Sequence, residues 1–310
     1  MVTEHLKKKL LEKDPFTDIV GQQKAKQAVA SALLANRHLI IIGPPGIGKT
    51  TLAKNVATLL GSDAPFVRVQ GSPDLTVEDL LGDIDPVKAL SFGPSSVEAF
   101  TKGKIFKAEK GVLFFDELNR CPEKLQNALL QVLEEGKATI GGYDVDFDLD
   151  FIFIATMNPE DSSTEKLSDV LLDRFDMVHM EYPESTEIEE RIVREKAEKF
   201  CTVSDKMLTL MVYFVRMLRQ SDKLEKKPSV RATLGLYERS QAQAVLKKHK
   251  NVEFEDLQDV LLSVLSHRIR LKPSSRYLIS PSEFVKQEFE KNIQESQWSE
   301  DSPEKPGEGL

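Results

Sequence analysis

The sequence predicts an α/β fold: a parallel five-stranded sheet flanked by helices, followed by an all-helical domain. Five short apolar runs, over 39–42, 66–69, 112–115, 151–154 and 177–180, alternate with segments of helical character. That alternation produces a parallel sheet with helices on both faces. After Pro183, apolar residues recur at three- and four-residue spacing over 187–200, 205–219, 230–248 and 254–266, which predicts helices.

These patterns divide the chain into an N-terminal extension (1–14), the α/β domain (15–184) and a helical domain (185–275). A C-terminal helix (276–293) and a tail (294–310) complete it. The tail is rich in Ser, Glu, Asp, Pro and Gly. It cannot bury enough apolar area to offset the entropy of ordering, so we expect a disordered acidic tail.

Composition excludes several classes of protein. Hydrophobic residues make up 40% and charged residues 30% of the 310, as in soluble globular proteins. The net charge of -8 argues against nucleic acid as a partner. The two cysteines are too few for a disulfide framework, and the histidines lack metal-ligand spacing. No run approaches the roughly 20 apolar residues of a membrane span, so we expect a cytoplasmic protein without membrane contact.

A glycine-rich segment follows the first predicted strand and precedes a predicted helix over 51–60. Glycines let backbone N–H groups approach phosphates, and a helix N-terminus favours anions. A lysine then reaches the β- and γ-phosphates, and a hydroxyl joins the shell of a magnesium ion. The segment therefore predicts binding of ATP and Mg²⁺. It satisfies G-x-x-x-x-G-K-[ST] with Gly43, Pro44, Pro45, Gly46, Ile47, Gly48, Lys49 and Thr50.

Two acids, Asp116 and Glu117, end the apolar run that begins at Gly111. The carboxyl ends of parallel strands form the edge where α/β proteins bind ligands. Asp116 is therefore expected to orient the magnesium shell. Glu117 is expected to position, or take a proton from, the water that attacks the γ-phosphate.

Six motifs together resemble the AAA+ ATPases, and within them the branch of MoxR and the magnesium-chelatase ATPase subunit. The resemblance spans about Ile19 to Leu271 and implies a P-loop core, a helical lid, ATPase activity and a six-membered ring. It places Ile19 and Val20 beside the adenine and extends the nucleotide-binding loop to Thr51. The motifs lie at 19–22 (adenine-side box), 43–51 (P-loop), 115–120 (Asp-Glu strand), 155–159 (sensor 1), 171–175 (arginine finger) and 228–232 (sensor 2).

Three further residues each have two interpretations. Without the family resemblance, the sequence favours Asn158 as the start of a turn before Pro159, and Arg174 and Arg231 as surface charges. The resemblance implies that Asn158 orients the attacking water and that Arg174 reaches the γ-phosphate of a neighbouring subunit. It implies that Arg231 carries the nucleotide state between the lid and the phosphates. Ser229 is expected to cap the helix that carries Arg231.

Two insertions distinguish the α/β domain. An irregular stretch between Asp79 and Phe106 is longer than a connection needs and resembles the helix-2 insert of this branch. Residues 138–147, with Gly141 and Gly142 between alternating runs, predict a hairpin that resembles the pre-sensor-1 hairpin. Both are candidates for contact with whatever the ring acts on; the alternative is plain surface decoration.

The sequence thus predicts a ring-forming ATPase that couples hydrolysis to remodelling or metal-loading of a partner protein. The alternative is the ATPase subunit of a magnesium-type chelatase, whose metal-binding adhesion-site domain would lie on another polypeptide. Two other classes stay open. A nucleic-acid motor should carry Lys or Arg where residues 143–150 are acidic. A slow nucleotide-dependent switch would signal by conformation.

Overall fold

The computed structural model describes residues 4–93, 96–139, 146–159 and 167–295. The chain forms two compact units, the first ending at Glu181 and the second beginning at Tyr182. In the described part of the chain, no helix has both the length and the apolar character needed to cross a membrane.

The first unit is built on the predicted parallel five-stranded sheet. Its described strands are β1 (His38–Ile42), β2 (Phe66–Gln70), β3 (Gly82–Ile84), β4 (Phe100–Lys102), β5 (Val112–Asp116), β6 (Lys137–Thr139), β7 (Asp146–Asp148), β8 (Ile152–Met157) and β9 (Phe175–His179). The sheet has the order β2-β5-β8-β1-β9, and all neighbours are parallel. β8 extends three residues past the predicted run because Thr156 and Met157 pair with Ile41 and Ile42.

Helices cover both faces of this sheet, since successive side chains of a strand point to opposite faces. Leu39, Phe114 and Ile154 pack with residues of α1, α2 and α3 on one face, here called the α3 face. Ile40, Leu113 and Phe153 pack with residues of α4, α6, α7 and α8 on the other. The helices are α1 (Glu4–Leu10), α2 (Gln23–Leu34), α3 (Lys49–Leu60), α4 (Val77–Leu81), α5 (Pro86–Phe92), α6 (Lys104–Lys107), α7 (Glu123–Glu135) and α8 (Asp169–Leu172).

The insert between Asp79 and Phe106 is more regular than the sequence predicts. β3 and β4 pair antiparallel, and α5 lies between them. Pro86 opens α5, and the Asp85 carboxylate accepts hydrogen bonds from the first-turn amides. The prediction of an irregular stretch is wrong because strands of three residues are too short to show an apolar period.

The flanks of the predicted hairpin do pair: β6 and β7 are antiparallel, with Lys137 opposite Asp148. The expected turn at Gly141 and Gly142 lies outside the described residues, and so does the tail from residue 296 onward.

The second unit is helical but not entirely so, because β10 and β11 pair antiparallel. Both strands are too short to stand out in the sequence. The first helix ends at Lys196 rather than near 200. The elements are α9 (Thr186–Lys196), α10 (Asp205–Gln220), β10 (Leu224–Lys226), α11 (Val230–Leu246), α12 (Phe254–Leu265), β11 (Arg270–Leu271), α13 (Pro273–Arg276) and α14 (Pro281–Glu295).

A buried charged pair ties α9, α10 and α11 together. Arg219 donates to both carboxylate oxygens of Glu189, at 2.5 and 2.7 Å, and the Thr233 hydroxyl donates to the same carboxylate. Arg219 Nε also donates to the carbonyl of Pro228, 2.7 Å away, just before α11. Because Glu189 is fully buried, this network leaves its charge compensated.

His38 at the start of β1 is held in its neutral form. Its Nδ1 accepts the Phe153 N–H at 3.1 Å, and its ring lies against Phe151 and Phe153. Burial, helped by the charge of Arg37, lowers the pKa of His38 from its ordinary 6.5 to about 4.

We therefore expect stability to fall on acidification through this residue. Between pH 6.5 and 4 the unfolded chain binds the proton and the folded chain does not, so the contribution is complete above 6.5 and is lost as pH falls. By about pH 5 the loss is about 2 kcal/mol. Urea unfolding at about pH 7.5 and pH 5 measures it. His38→Asn should show a smaller decrease, and equal decreases would contradict this account.

Candidate nucleotide and magnesium site

Residues 43–48 form a tight loop that joins β1 to α3. A Cβ on Gly43 would lie 2.3 Å from the carbonyl oxygen of Met180. Gly46 and Gly48 have φ values of 75° and 101°, the left-handed region that glycine tolerates. Gly43 is therefore required by close packing, and Gly46 and Gly48 are required by their backbone angles. The loop has the compact backbone that a phosphate-binding loop needs. Pro44, Pro45 and Ile47 are partly buried in the same loop.

Lys49, Thr50 and Thr51 form the first turn of α3. The ammonium of Lys49 folds back over the loop and donates to the carbonyls of Gly43 and Pro44 at 2.6 and 2.9 Å. A positive charge and the N-terminus of a 12-residue helix thus lie at one loop. This arrangement suits a chain of phosphates.

The segment around Ile19 and Val20 forms a wall beside this loop. Both side chains are buried, and Ile19 Cδ1 lies 3.4 Å from where a Cβ on Gly48 would stand. Gln22 anchors the segment, because its amide nitrogen donates to the carbonyl of Glu181 at 2.6 Å. The predicted adenine-side residues are therefore adjacent to the predicted phosphate loop.

Asp116 ends β5, and Glu117 follows in a left-handed conformation with φ 58° and ψ 53°. Such values are uncommon for residues other than glycine. The residue after β2 fixes this turn, since the Gly71 N–H donates to the Asp116 carbonyl at 2.7 Å. A Cβ on Gly71 would lie 2.1 Å from the Glu117 carbonyl oxygen, so only glycine allows this approach.

One buried hydroxyl holds both acids. Thr156 Oγ1 donates to Asp116 Oδ1 at 2.6 Å and accepts the Glu117 N–H at 2.9 Å. Phe115 pairs with Ala155, so Thr156 is the residue of β8 level with Asp116. Thr156 lies inside the sensor-1 segment, but no pattern in the sequence predicts this role for it.

Two residues of β2 hold the other carboxylate oxygens. Arg68 Nη2 lies 2.6 Å from Asp116 Oδ2, and Gln70 Nε2 donates to Glu117 Oε2 at 2.9 Å. Arg120 also lies 3.1 Å from Glu117 Oε2. Arg68 and Gln70 were not among the residues predicted for the site. The available signal was two polar residues at alternate positions of a strand that ends level with the acids.

The residues present fit a magnesium ion. Phe114 and Ile154 pack on the α3 face, so Asp116 and Thr156, two residues further along their strands, lie on that face too. Thr50 and Asp116 thus supply a hydroxyl and a carboxylate on one side of the sheet. Mg²⁺ prefers such oxygens and takes its remaining ligands from water and phosphates. No group of three or more His, Cys, Asp or Glu able to hold a metal occurs within the described ranges.

Asn158 follows the last residue of β8 and is partly buried. Thr156 is the residue of β8 that is level with Asp116, and β8 continues to Met157 before Asn158. The Met157 carbonyl accepts a hydrogen bond from the Gly43 N–H at 3.3 Å. Asn158 therefore stands next to the start of the phosphate loop.

Arg174 lies at the opposite edge of the sheet. It immediately precedes β9, whose first residue, Phe175, pairs with His38 at the start of β1. The phosphate loop leaves the other end of β1, about 15 Å away at the usual rise per strand residue. The guanidinium of Arg174 forms ion pairs with Glu134 at 2.9 Å and with Asp173 at 3.4 Å.

Arg231 is the second residue of α11 and is exposed. The expected cap at Ser229 is wrong, since its side chain makes no capping hydrogen bond. The Ala232 N–H instead bonds to the carbonyl of Ser229 at 2.8 Å, which satisfies the amide that the hydroxyl would have taken.

Comparison with known families agrees with this geometry. Residues 38–175 match the model described as an AAA domain of the dynein-related subfamily, and residues 217–288 match an AAA lid domain. The chain belongs to the AAA+ ATPases. This AAA+ chain is 28% identical to the chaperone MoxR1 of Mycobacterium tuberculosis, over 82% of the chain and 73% of MoxR1.

The AAA+ chain is also 28% identical to the magnesium-chelatase subunit ChlI of Trieres chinensis, over 73% of this chain and 72% of ChlI. These matches confirm the predicted branch and the ATPase activity. Among solved structures, the RuvB Holliday junction branch migration motor of Thermotoga maritima aligns with a TM-score of 0.53 at 18% identity, over 80% of this chain and 70% of RuvB. That identity shows a shared fold alone.

Thr156→Val tests the hydroxyl that holds both acids. The change leaves a buried amide and a carboxylate oxygen without their partner, which costs about 1 to 3 kcal/mol. We expect kcat to fall about tenfold or more, with a change in KM for ATP below about threefold, because the Thr156 hydroxyl bonds to Asp116 and to the Glu117 amide. Steady-state kinetics measure both. Thr156→Ser should retain most activity, and a Val variant with parental kcat would contradict the assignment.

Proposed function

We propose that this AAA+ ATPase assembles into a ring and couples magnesium-dependent ATP hydrolysis to remodelling or metal-loading of a partner protein. The position of Arg174 supports the ring. A side chain at the amino edge of the sheet cannot approach a nucleotide at the carboxyl edge of the same subunit, so it acts on a neighbouring copy. Head-to-tail contacts of this kind close into rings, and the family resemblance implies six copies.

Within one subunit, the loop 43–48 and Lys49 bind the phosphates, and Thr50 with Asp116 hold magnesium. The ion, when bound, neutralises charge on the β- and γ-phosphate oxygens. Glu117 positions or deprotonates the attacking water, and Asn158 orients it. The contacts of Thr156 and Gln70 support the assignment of Glu117, because a base must be held in one geometry to act.

The remaining assignments concern nucleotide identity and signalling. Ile19 and Val20 form an apolar wall for the adenine, and Thr51 extends the loop contacts into α3. Arg231, exposed at the start of α11, senses the phosphates from the lid. Its exposure supports this role, since among the described residues no hydrogen bond or ion pair commits its guanidinium elsewhere.

A chelatase ATPase subunit is the second candidate, favoured by the likeness to ChlI over 73% of the chain. Its partner would carry a metal-binding adhesion-site domain on another polypeptide. The two candidates differ in what they bind, so a Glu117→Gln variant loaded with ATP should retain different partners. Recovery of a protein with such a domain favours the chelatase.

The core assignments predict opposite defects in two variants. Lys49→Ala should weaken binding of a fluorescent ATP analogue about tenfold or more, because Lys49 meets the ground-state phosphates. Glu117→Gln should bind within about twofold of the parent and lose kcat by about 10² to 10⁴, because the carboxylate acts on water. Parental turnover in Glu117→Gln would remove it as the base.

Arg174→Ala should lower kcat about 10³-fold and leave analogue binding unchanged, because the guanidinium stabilises charge that develops during transfer. Mixing this variant with Glu117→Gln creates interfaces where an intact cradle meets an intact arginine. We expect such mixtures, and neither variant alone, to hydrolyse ATP. An inactive mixture with demonstrated co-assembly, or full turnover by a dilute monomer, would reject the role in trans.

A further inference from the structure

A cation already lies against the carboxylate that is proposed to hold magnesium. Arg68 Nη2 is 2.6 Å from Asp116 Oδ2, while Thr156 holds Oδ1. Asp116 is largely shielded, with 16% of its side chain exposed, whereas Arg68 is 53% exposed. Both oxygens of Asp116 therefore have partners, and one of those partners is an arginine open to solvent.

Strand geometry makes this contact a property of the fold rather than of a loose surface side chain. Arg68 stands opposite Phe114 in the β2–β5 ladder, and Gln70 stands opposite Asp116. Side chains two apart on a strand share a face, so Arg68, Gln70 and Asp116 all lie on the α3 face. The Arg68 guanidinium extends toward the carboxyl end of the strands to contact Asp116, which is two residues beyond Phe114.

The same nitrogen also touches Gln70, so Arg68 is linked to both acids. Arg68 Nη2 donates to Gln70 Oε1 at 3.2 Å, and Gln70 Nε2 donates to Glu117 at 2.9 Å. The Gln70 side-chain amide thus directs its oxygen toward Arg68 and its nitrogen toward Glu117. The path therefore runs from Asp116 through Arg68 and Gln70 to Glu117.

We propose that Arg68 is a positioning residue that neutralises Asp116 before metal loading and competes with Mg²⁺ for its carboxylate. The inference rests on the proposed role of Asp116. An oxygen engaged by a guanidinium must give up that contact to accept a metal ion or a metal-bound water. Ion pairs with one solvent-exposed partner contribute little net free energy, so nucleotide-borne magnesium can displace Arg68. A divalent ion without nucleotide meets a carboxylate that is already neutralised.

The test measures metal binding directly. Calorimetric titration of Mn²⁺ into protein saturated with a non-hydrolysable ATP analogue should show about two- to fivefold tighter binding for Arg68→Gln than for the parent, the range expected for loss of a half-exposed ion pair. Arg68→Met should behave alike. Arg68→Lys keeps the charge and should remain within about twofold of the parent.

Arg37→Gln is the matched control. It makes the same change of charge at an arginine that is 52% exposed, and it also removes an aspartate pair, to Asp176. Arg37 precedes β1 at the amino edge of the sheet, far from the acids. Its Mn²⁺ affinity should equal that of the parent, so a general effect of net charge would show as tightening in both variants and would overturn the proposal.

Two further outcomes separate this inference from the assignment beneath it. Unchanged or weaker Mn²⁺ binding in Arg68→Gln and Arg68→Met, with binding lost in Asp116→Asn, rejects competition by Arg68 and keeps Asp116 in the site. Unchanged binding in Asp116→Asn removes Asp116 from the metal site and rejects both.

Discussion

Parallel pairing of β5, β8 and β1 is the constraint on which the site depends. Because the three strands run the same way and end at one edge, their successors Glu117, Asn158 and Gly43 emerge together. A shift of one residue in the register between β5 and β8 would turn Thr156 to the other face and separate it from both acids. The register is held by fully buried side chains on both faces of the sheet, such as Phe114 and Phe153.

How far the sequence predicts this arrangement depends on the range of the interaction. The loop 43–48 and the pair Asp116 and Glu117 are local patterns, each defined by a strand and the few residues after it, and both were found. The contacts of Thr156, Arg68 and Gln70 join residues that are 39 to 48 positions apart in sequence. They depend on strand order and register, which one sequence does not reveal. Strands of two or three residues, such as β10 and β11, were not predicted because they are too short to show a periodic pattern of apolar residues.

In the second unit, a buried ion pair fixes the relative positions of three helices. The bidentate contact between Glu189 and Arg219, with its extension to Pro228 and Thr233, fixes where α11 begins relative to α9 and α10. Arg231 stands on the first turn of that helix. Removing one partner would leave an uncompensated buried charge, so this network sets the position of an exposed arginine from within the core.

The order of strands has one more consequence. The phosphate loop leaves β1, which has a neighbour on each side, whereas Arg68 and Gln70 lie on β2, at an edge of the sheet. An interior strand is hydrogen-bonded to neighbours on both sides and moves only if both sets of hydrogen bonds break. An edge strand has one neighbour and can shift or twist when one set breaks. The proposed phosphate loop is therefore held more rigidly than the two β2 side chains that contact the acids. A displacement of β2 would change the contacts of Asp116 and Glu117 and leave the proposed phosphate loop in place.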